Sequence, residues 1–232
     1  MSQDNTFIKL LGISQQNTSH AEKLISVVGG FIGIYAIFLV TYQFLGVAEA
    51  VYIIPSMGAS AVLLFAAPHA PFSQPWSVFG GHLISAIVGV ACYQFIPNIH
   101  IAAAASVGLA IGVMYYARCI HPPGGATALA AVIGSSQIHD LGYSYVITPV
   151  LVNVVTILII AVIFNTLLSW RSYPAALRKP NVINQDSNVY PPINHEDFVY
   201  ALSQIDSVVD ISERELQEIY ALATGRKEII KE

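Results

Sequence analysis

Between Leu24 and Trp170 the chain carries only three formally charged side chains, Glu49, Arg118 and Asp140, whereas residues 171 to 232 hold seven basic and ten acidic ones. An ordinary soluble domain is about a quarter charged, so so long a stretch with so little charge does not suit a water-facing surface. It suits hydrocarbon, where backbone polar groups must be satisfied within the segment and helices achieve this. The sequence therefore predicts an all-α integral membrane protein. It divides into an N-terminal segment over 1–23, a membrane domain over 24–170, a linker over 171–194 and a soluble helical tail over 195–232.

Four segments, roughly 24–45, 77–96, 100–117 and 145–170, meet the length of about 20 residues that a spanning helix needs. Two others, PSMGASAVLLFAA from Pro55 and PPGGATALAAVIG from Pro122, have 13 residues each. As helices they cover about 20 Å of a core about 30 Å thick. Both begin with proline, which suits a first helical turn and biases its predecessor toward extended backbone. If Val51–Ile54 and Arg118–His121 are extended, each short helix with its approach reaches about 33 Å. Re-entrant hairpins are the other reading. Six spans with cytoplasmic termini put Lys9, Lys23, Arg118, Arg171, Arg178 and Lys179 inside and Glu49 and Asp140 outside, as the positive-inside rule favours.

The short segments match at a shift of 67 residues: Pro55 falls on Pro122, and Gly58-Ala59-Ser60-Ala61-Val62 on Gly125-Ala126-Thr127-Ala128-Leu129. Trp76-Ser77 falls on Tyr143-Ser144. A three-span unit repeated once is inverted, so the expected fold is two inverted three-segment repeats, about 24–96 and 100–170, each with a short broken half-helix. Broken helices at matching positions mark a transporter's midplane site. Two helix N-termini converging there favour an anion.

The candidate site residues follow. Arg118, costly in an apolar segment unless it meets water, a counter-charge or a ligand, would attract the anion. Amides around Pro55, Ser56, Gly58 and Ala59, and around Pro122, Pro123, Gly124, Gly125 and Ala126, would cradle it. Ser60 and Thr127 would donate hydroxyl hydrogen bonds. His121 is either a proton-linked switch or a buried histidine satisfied by backbone. His82 and Asn153 are further polar candidates within long spans. Cys92 and Cys119 lack metal-type spacing and read as small buried residues.

No GxSxG, HExxH or GxxxxGK motif occurs, so no catalytic residue, metal or cofactor is expected. With a net charge of −4 and no basic patch interleaved with aromatics, a nucleic-acid partner is not expected either. The first 23 residues have neither a cleavable signal's layout nor a transit peptide's composition, so the first hydrophobic segment reads as a retained span. In the tail, HEDFVYALSQIDSVV and DISERELQEIYALATG form a pair of amphipathic helices. The second has capping-box spacing at Ser212 and Glu215 and a stripe of Leu216, Ile219, Tyr220 and Leu222. Such a hairpin has little core of its own, which points to docking on the membrane domain or on another copy in a homo-oligomer.

IHPPGGATAL resembles the HPP family of integral membrane proteins, named for the His-Pro-Pro triplet. The resemblance extends to PSMGASAVLLF, QPWSVFGGHLISA and the last apolar span, about residues 24–170. It implies nitrite transport, the role associated with cyanobacterial and plastid members, while the tail looks like short extensions of some bacterial members. The expectation is transport of a small monovalent anion, nitrite first, across a bacterial inner membrane. The rivals are a carrier for a neutral or cationic solute, and a membrane anchor or sensor acting through its tail.

Overall fold

The computed structural model describes residues 18–45, 47–168 and 170–177, together with Asp197, Leu216 and Tyr220. The chain divides into two units, residues 23–180 and residues 1–22 with 181–232. In the second, the Glu22 amide donates to Ser19 Oγ at 3.1 Å, and Asp197, Leu216 and Tyr220 are helical. The rest of the expected tail hairpin lies outside the described residues.

In the larger unit the elements are α1 (His20–Leu45, which begins just before it), α2 (Val47–Ala66), a 3-10 turn (Pro71–Ser73), α3 (Pro75–Phe95), α4 (Ile99–Tyr116), α5 (Pro122–Ile133), α6 (Ser136–Leu141), a wide π-type turn (Val146–Leu151), α7 (Val152–Thr166) and a last 3-10 turn (Ala175–Leu177). Among the described residues, four stretches are long and apolar enough to cross a membrane: His20–Gln43, Pro75–Phe95, Ile99–Tyr116 and Val146–Thr166. Tyr52–Ala66 and Pro122–Ile133 are shorter apolar helices. This is the structure of an integral membrane protein.

Local chemistry sets the helix starts. Pro75 opens α3 after an extended Gln74. Asn98 caps α4, its side chain accepting from the His100 and Ile101 amides at 3.0 and 3.1 Å, which satisfies donors a helix start leaves unpaired. α5 begins on two consecutive prolines after an extended His121 (φ −142, ψ 103), as the Pro-Pro pair predicts. Its last residue precedes Gly134, where a Cβ would fall 2.6 Å from the Ala130 carbonyl oxygen.

The first short segment departs from expectation. Val51–Ile54 is not extended, and Pro55 lies inside the continuous helix α2. A proline removes one amide donor, the one that would bond the Val51 carbonyl, and crowds the preceding turn, yet membrane helices tolerate it. Ser56 Oγ donates to the Ile53 carbonyl at 2.9 Å, and Pro55 itself is exposed. The expected last span is also interrupted: Thr148 leaves helical geometry (φ −127, ψ 109) ahead of Pro149, as the restriction on a residue preceding proline dictates.

The main core joins α1, α2, α3 and α7 through Ile37, Met57, Leu64, Phe65, Val78, Ala86, Val154 and Ile157. Large apolar side chains such as Val27, Phe31, Tyr35, Ile159 and Ile163 face outward, as lipid contact allows. Arg171 is buried; it donates to the Phe65 carbonyl and to Ser26 Oγ. α3 and α5 meet backbone to backbone. Gly81, Ser85 and Gly89 recur every four residues on α3, and Gly124 and Ala128 oppose them: a Cβ at Gly89 would fall 2.5 Å from the Ala128 carbonyl oxygen, and one at Gly124 would fall 2.7 Å from Ser85 Oγ. Close packing of small residues is what holds helices together where lipid removes the hydrophobic drive.

Candidate functional site

The α3–α5 contact carries two histidines inward. His82 stands on α3 beside Gly81, and His121 is the residue before α5. A Cβ at Gly81 would lie 2.5 Å from His121 Cβ, so the glycine lets the two elements approach. The imidazole rings lie with centroids 4.8 Å apart at 64°, and both side chains are fully buried. Buried Ser56 and Ser60 face them from α2, and buried Thr127 from α5.

These side chains form one hydrogen-bonded chain. His121 Nδ1 is 2.8 Å from the Phe72 carbonyl oxygen, which can only accept, so Nδ1 carries a proton. In a neutral ring Nε2 is then an acceptor, and Ser60, 2.9 Å away, must donate to it. Ser60 Oγ lies 2.8 Å from His82 Nε2 and, having spent its proton, accepts from an Nε2–H. His82 Nδ1 is then the acceptor for the Thr127 hydroxyl at 2.7 Å. One backbone carbonyl thus sets the tautomer of both rings. Ser60 and Thr127, the matched residues of the sequence repeat, engage opposite nitrogens of His82. Tyr145 donates to the Thr127 carbonyl at 3.1 Å, holding that turn of α5.

Several expected participants stand elsewhere. Arg118 does not enter the cluster: it is exposed, in a left-handed conformation (φ 53), where α4 ends. The turn that leads the chain into the extended approach to α5 carries its side chain outward. Asn153 pairs with Thr41, donating from Nδ2 at 2.8 Å and accepting at Oδ1 from Thr41 Oγ1 at 3.1 Å. The expected amide cradle changes too. Pro55 starts no helix, Pro122 and Pro123 have no N–H, and the Gly124 amide donates to the His121 carbonyl at 2.8 Å. Pro123 and Gly124 are buried, Gly124 against α3, Gly58 and Gly125 are half-buried, and Ala59, Ala126 and Pro122 are exposed.

The Phe72 carbonyl has no signature in residue type, since every residue carries one. The Gly81-Ser85-Gly89 spacing was the signal that could have located the α3–α5 contact. Both cysteines are free and buried. Among the described residues no group of three or more His, Cys, Asp or Glu side chains is placed to hold a metal ion. The arrangement can move or store a proton along its hydroxyl and imidazole groups.

A family model described as HPP, transmembrane region, matches residues 15–174. Two transmembrane proteins of Dictyostelium discoideum are similar over 148 residues. One is 39% identical, covering 62% of this chain and 47% of its own length. The other is 36% identical, covering 62% and 52%. The chain spans about half the length of these curated relatives. No solved structure matches it.

Proposed function

The chain belongs to the HPP transmembrane family, and on that premise we propose that it transports a small monovalent anion, nitrite first, across a bacterial inner membrane with both termini cytoplasmic. The observation that carries the reading is the Ser60–His82–His121–Thr127 cluster. A fully satisfied polar chain inside a membrane domain is costly to build and is a marker of function when it contains ionisable groups. The cluster holds imidazoles and no carboxylate, so any charge it gains is positive, which favours an anion over a cation. Arg118, exposed where α4 ends, attracts anions toward the protein without entering the site. An inverted duplication with Ser60 and Thr127 as matching residues accounts for the two-sided grip on His82.

The test is nitrite uptake by purified protein in liposomes. Wild-type protein should exceed empty liposomes, and His121→Gln and His82→Gln should abolish the excess. Arg118→Gln should slow uptake at low salt and matter less at high salt, because a surface charge is screened. Nitrite uptake no faster than in empty liposomes, with a neutral or cationic solute crossing readily, would sink the anion assignment.

A further inference from the structure

Ser60 touches both histidines and has a third neighbour. Its Oγ lies 2.8 Å from His82 Nε2, 2.9 Å from His121 Nε2 and 3.1 Å from the Ser56 carbonyl oxygen. In the neutral cluster it accepts from His82 and donates to His121. A proton added at His121 Nε2 turns that nitrogen into a donor. Ser60 then accepts from both rings, filling both lone pairs, and its own O–H swings to the Ser56 carbonyl. Every donor and acceptor stays paired and no heavy atom has to move. His82 keeps its tautomer and its bond from Thr127.

A second proton finds no such place. On His82 Nδ1 it would oppose the Thr127 hydroxyl proton and set a second cation beside the first, with ring centroids only 4.8 Å apart. The cluster therefore stores one proton. The groups facing it are Ser56 and Ser60 from α2, the Phe72 carbonyl from the loop before α3, Ser85 from α3, Cys119 beside Gly80 and Gly81, Thr127 from α5, and Tyr145 behind Thr127. None is acidic. The only carboxylates between Leu24 and Trp170 are Glu49 and Asp140, and Asp140 is exposed. A buried cation without a counter-charge is strongly disfavoured.

We infer that His121, with Ser60 as its hydroxyl switch, takes up one proton together with one monovalent anion, so that the cluster is a proton–anion cotransport site whose loaded form is neutral. This rests on the transport reading above. The added proton binds His121 Nε2, the anion supplies the missing negative charge, and both leave together.

The test uses liposomes holding the purified chain and a pH-sensitive dye, with valinomycin and potassium fixing the membrane potential. Nitrite is added outside at equal pH, and the signal of empty liposomes is subtracted. Proton entry should match nitrite entry one for one, and the rate should not respond to the imposed potential. Ser60→Ala should lose this coupled uptake. Because that variant can fail to fold, nitrogen NMR of the wild-type histidines supplies a second readout: on acidification His121 Nε2 should gain a proton while His82 Nδ1 stays bare. Nitrite uptake that follows the potential without protons would overturn the coupling and leave the transport reading standing. Absence of nitrite uptake would remove the transport reading and the coupling with it. Protonation of His82 first would overturn the role given to Ser60 and His121.

Discussion

Gly81→Ala asks whether backbone contact between α3 and the start of α5 is what positions the histidines. In a helix interior this change normally stabilises by about 1 kcal/mol. At Gly81 the new Cβ would fall 2.5 Å from His121 Cβ, 3.1 Å from the Cys119 carbonyl oxygen and 3.5 Å from His121 Cα. Non-bonded carbons rest at about 3.5–4.0 Å, so the two elements must part by about 1 Å. The atoms struck are backbone or the root of a side chain, and no rotamer change removes the clash. Overpacking of this kind costs about 1–3 kcal/mol. The same displacement stretches the 2.7 Å bond between His82 on α3 and Thr127 on α5 beyond bonding distance, for about 1 kcal/mol more. After the helix gain is subtracted, the expected loss is about 2 kcal/mol, or a melting temperature lower by about 4–8 °C, with nitrite uptake lost as well. Thermal unfolding in detergent and liposome uptake measure the two effects. Gly108→Ala and Gly112→Ala are the controls, because nothing lies within 4 Å of a Cβ at either position; both should melt at or above the wild-type temperature. If Gly81→Ala behaves as they do, close packing is not what holds His121 in place.

Two further changes probe other parts of the structure. Thr127→Val keeps the shape of the side chain but leaves His82 Nδ1 a buried acceptor without a donor, at a cost of about 1–3 kcal/mol; nitrogen NMR should show His82 losing its single tautomer, and an unchanged spectrum would contradict the assigned direction of the chain. Tyr173 donates to the Ser73 carbonyl at 2.8 Å, and burial raises its hydroxyl above the ordinary tyrosine value. Its folded-state value exceeds the unfolded one, so its contribution is complete below about pH 10 and is lost as pH rises from there toward the folded value. Tyr173→Phe should flatten the alkaline fall in stability while costing about 1 kcal/mol at neutral pH, and a profile as steep as wild type would refute the linkage.

The four residues of the cluster could each be named from sequence, because a polar side chain in a long apolar stretch needs a reason to be there. Their order could not be. Which nitrogen of His82 meets Ser60 and which meets Thr127 depends on α2, α3 and α5 converging, and on a carbonyl at Phe72 that residue type does not mark. Arg118 shows what spacing leaves open. Charge in a hydrophobic run needs water, a counter-charge or a ligand, and a left-handed turn where α4 ends sets the side chain outward. Pro55 and Pro122 look equivalent in the repeat, yet one lies within a helix and the other starts one. The difference is tertiary: the extended approach to α5 is pressed against Gly81, while Pro55 is exposed within the continuous helix α2.

Hydropathy and the near-absence of charge from Leu24 to Trp170 were enough to establish a helical membrane domain, since hydrocarbon leaves the backbone few alternatives. The Pro122-Pro123 pair located the start of α5 for an equally local reason. What only the tertiary structure decided was which polar groups meet. Gly81, Ser85 and Gly89 admit the α5 backbone to within van der Waals distance, and that approach, together with α2, turns four separate polar residues into one proton-bearing chain.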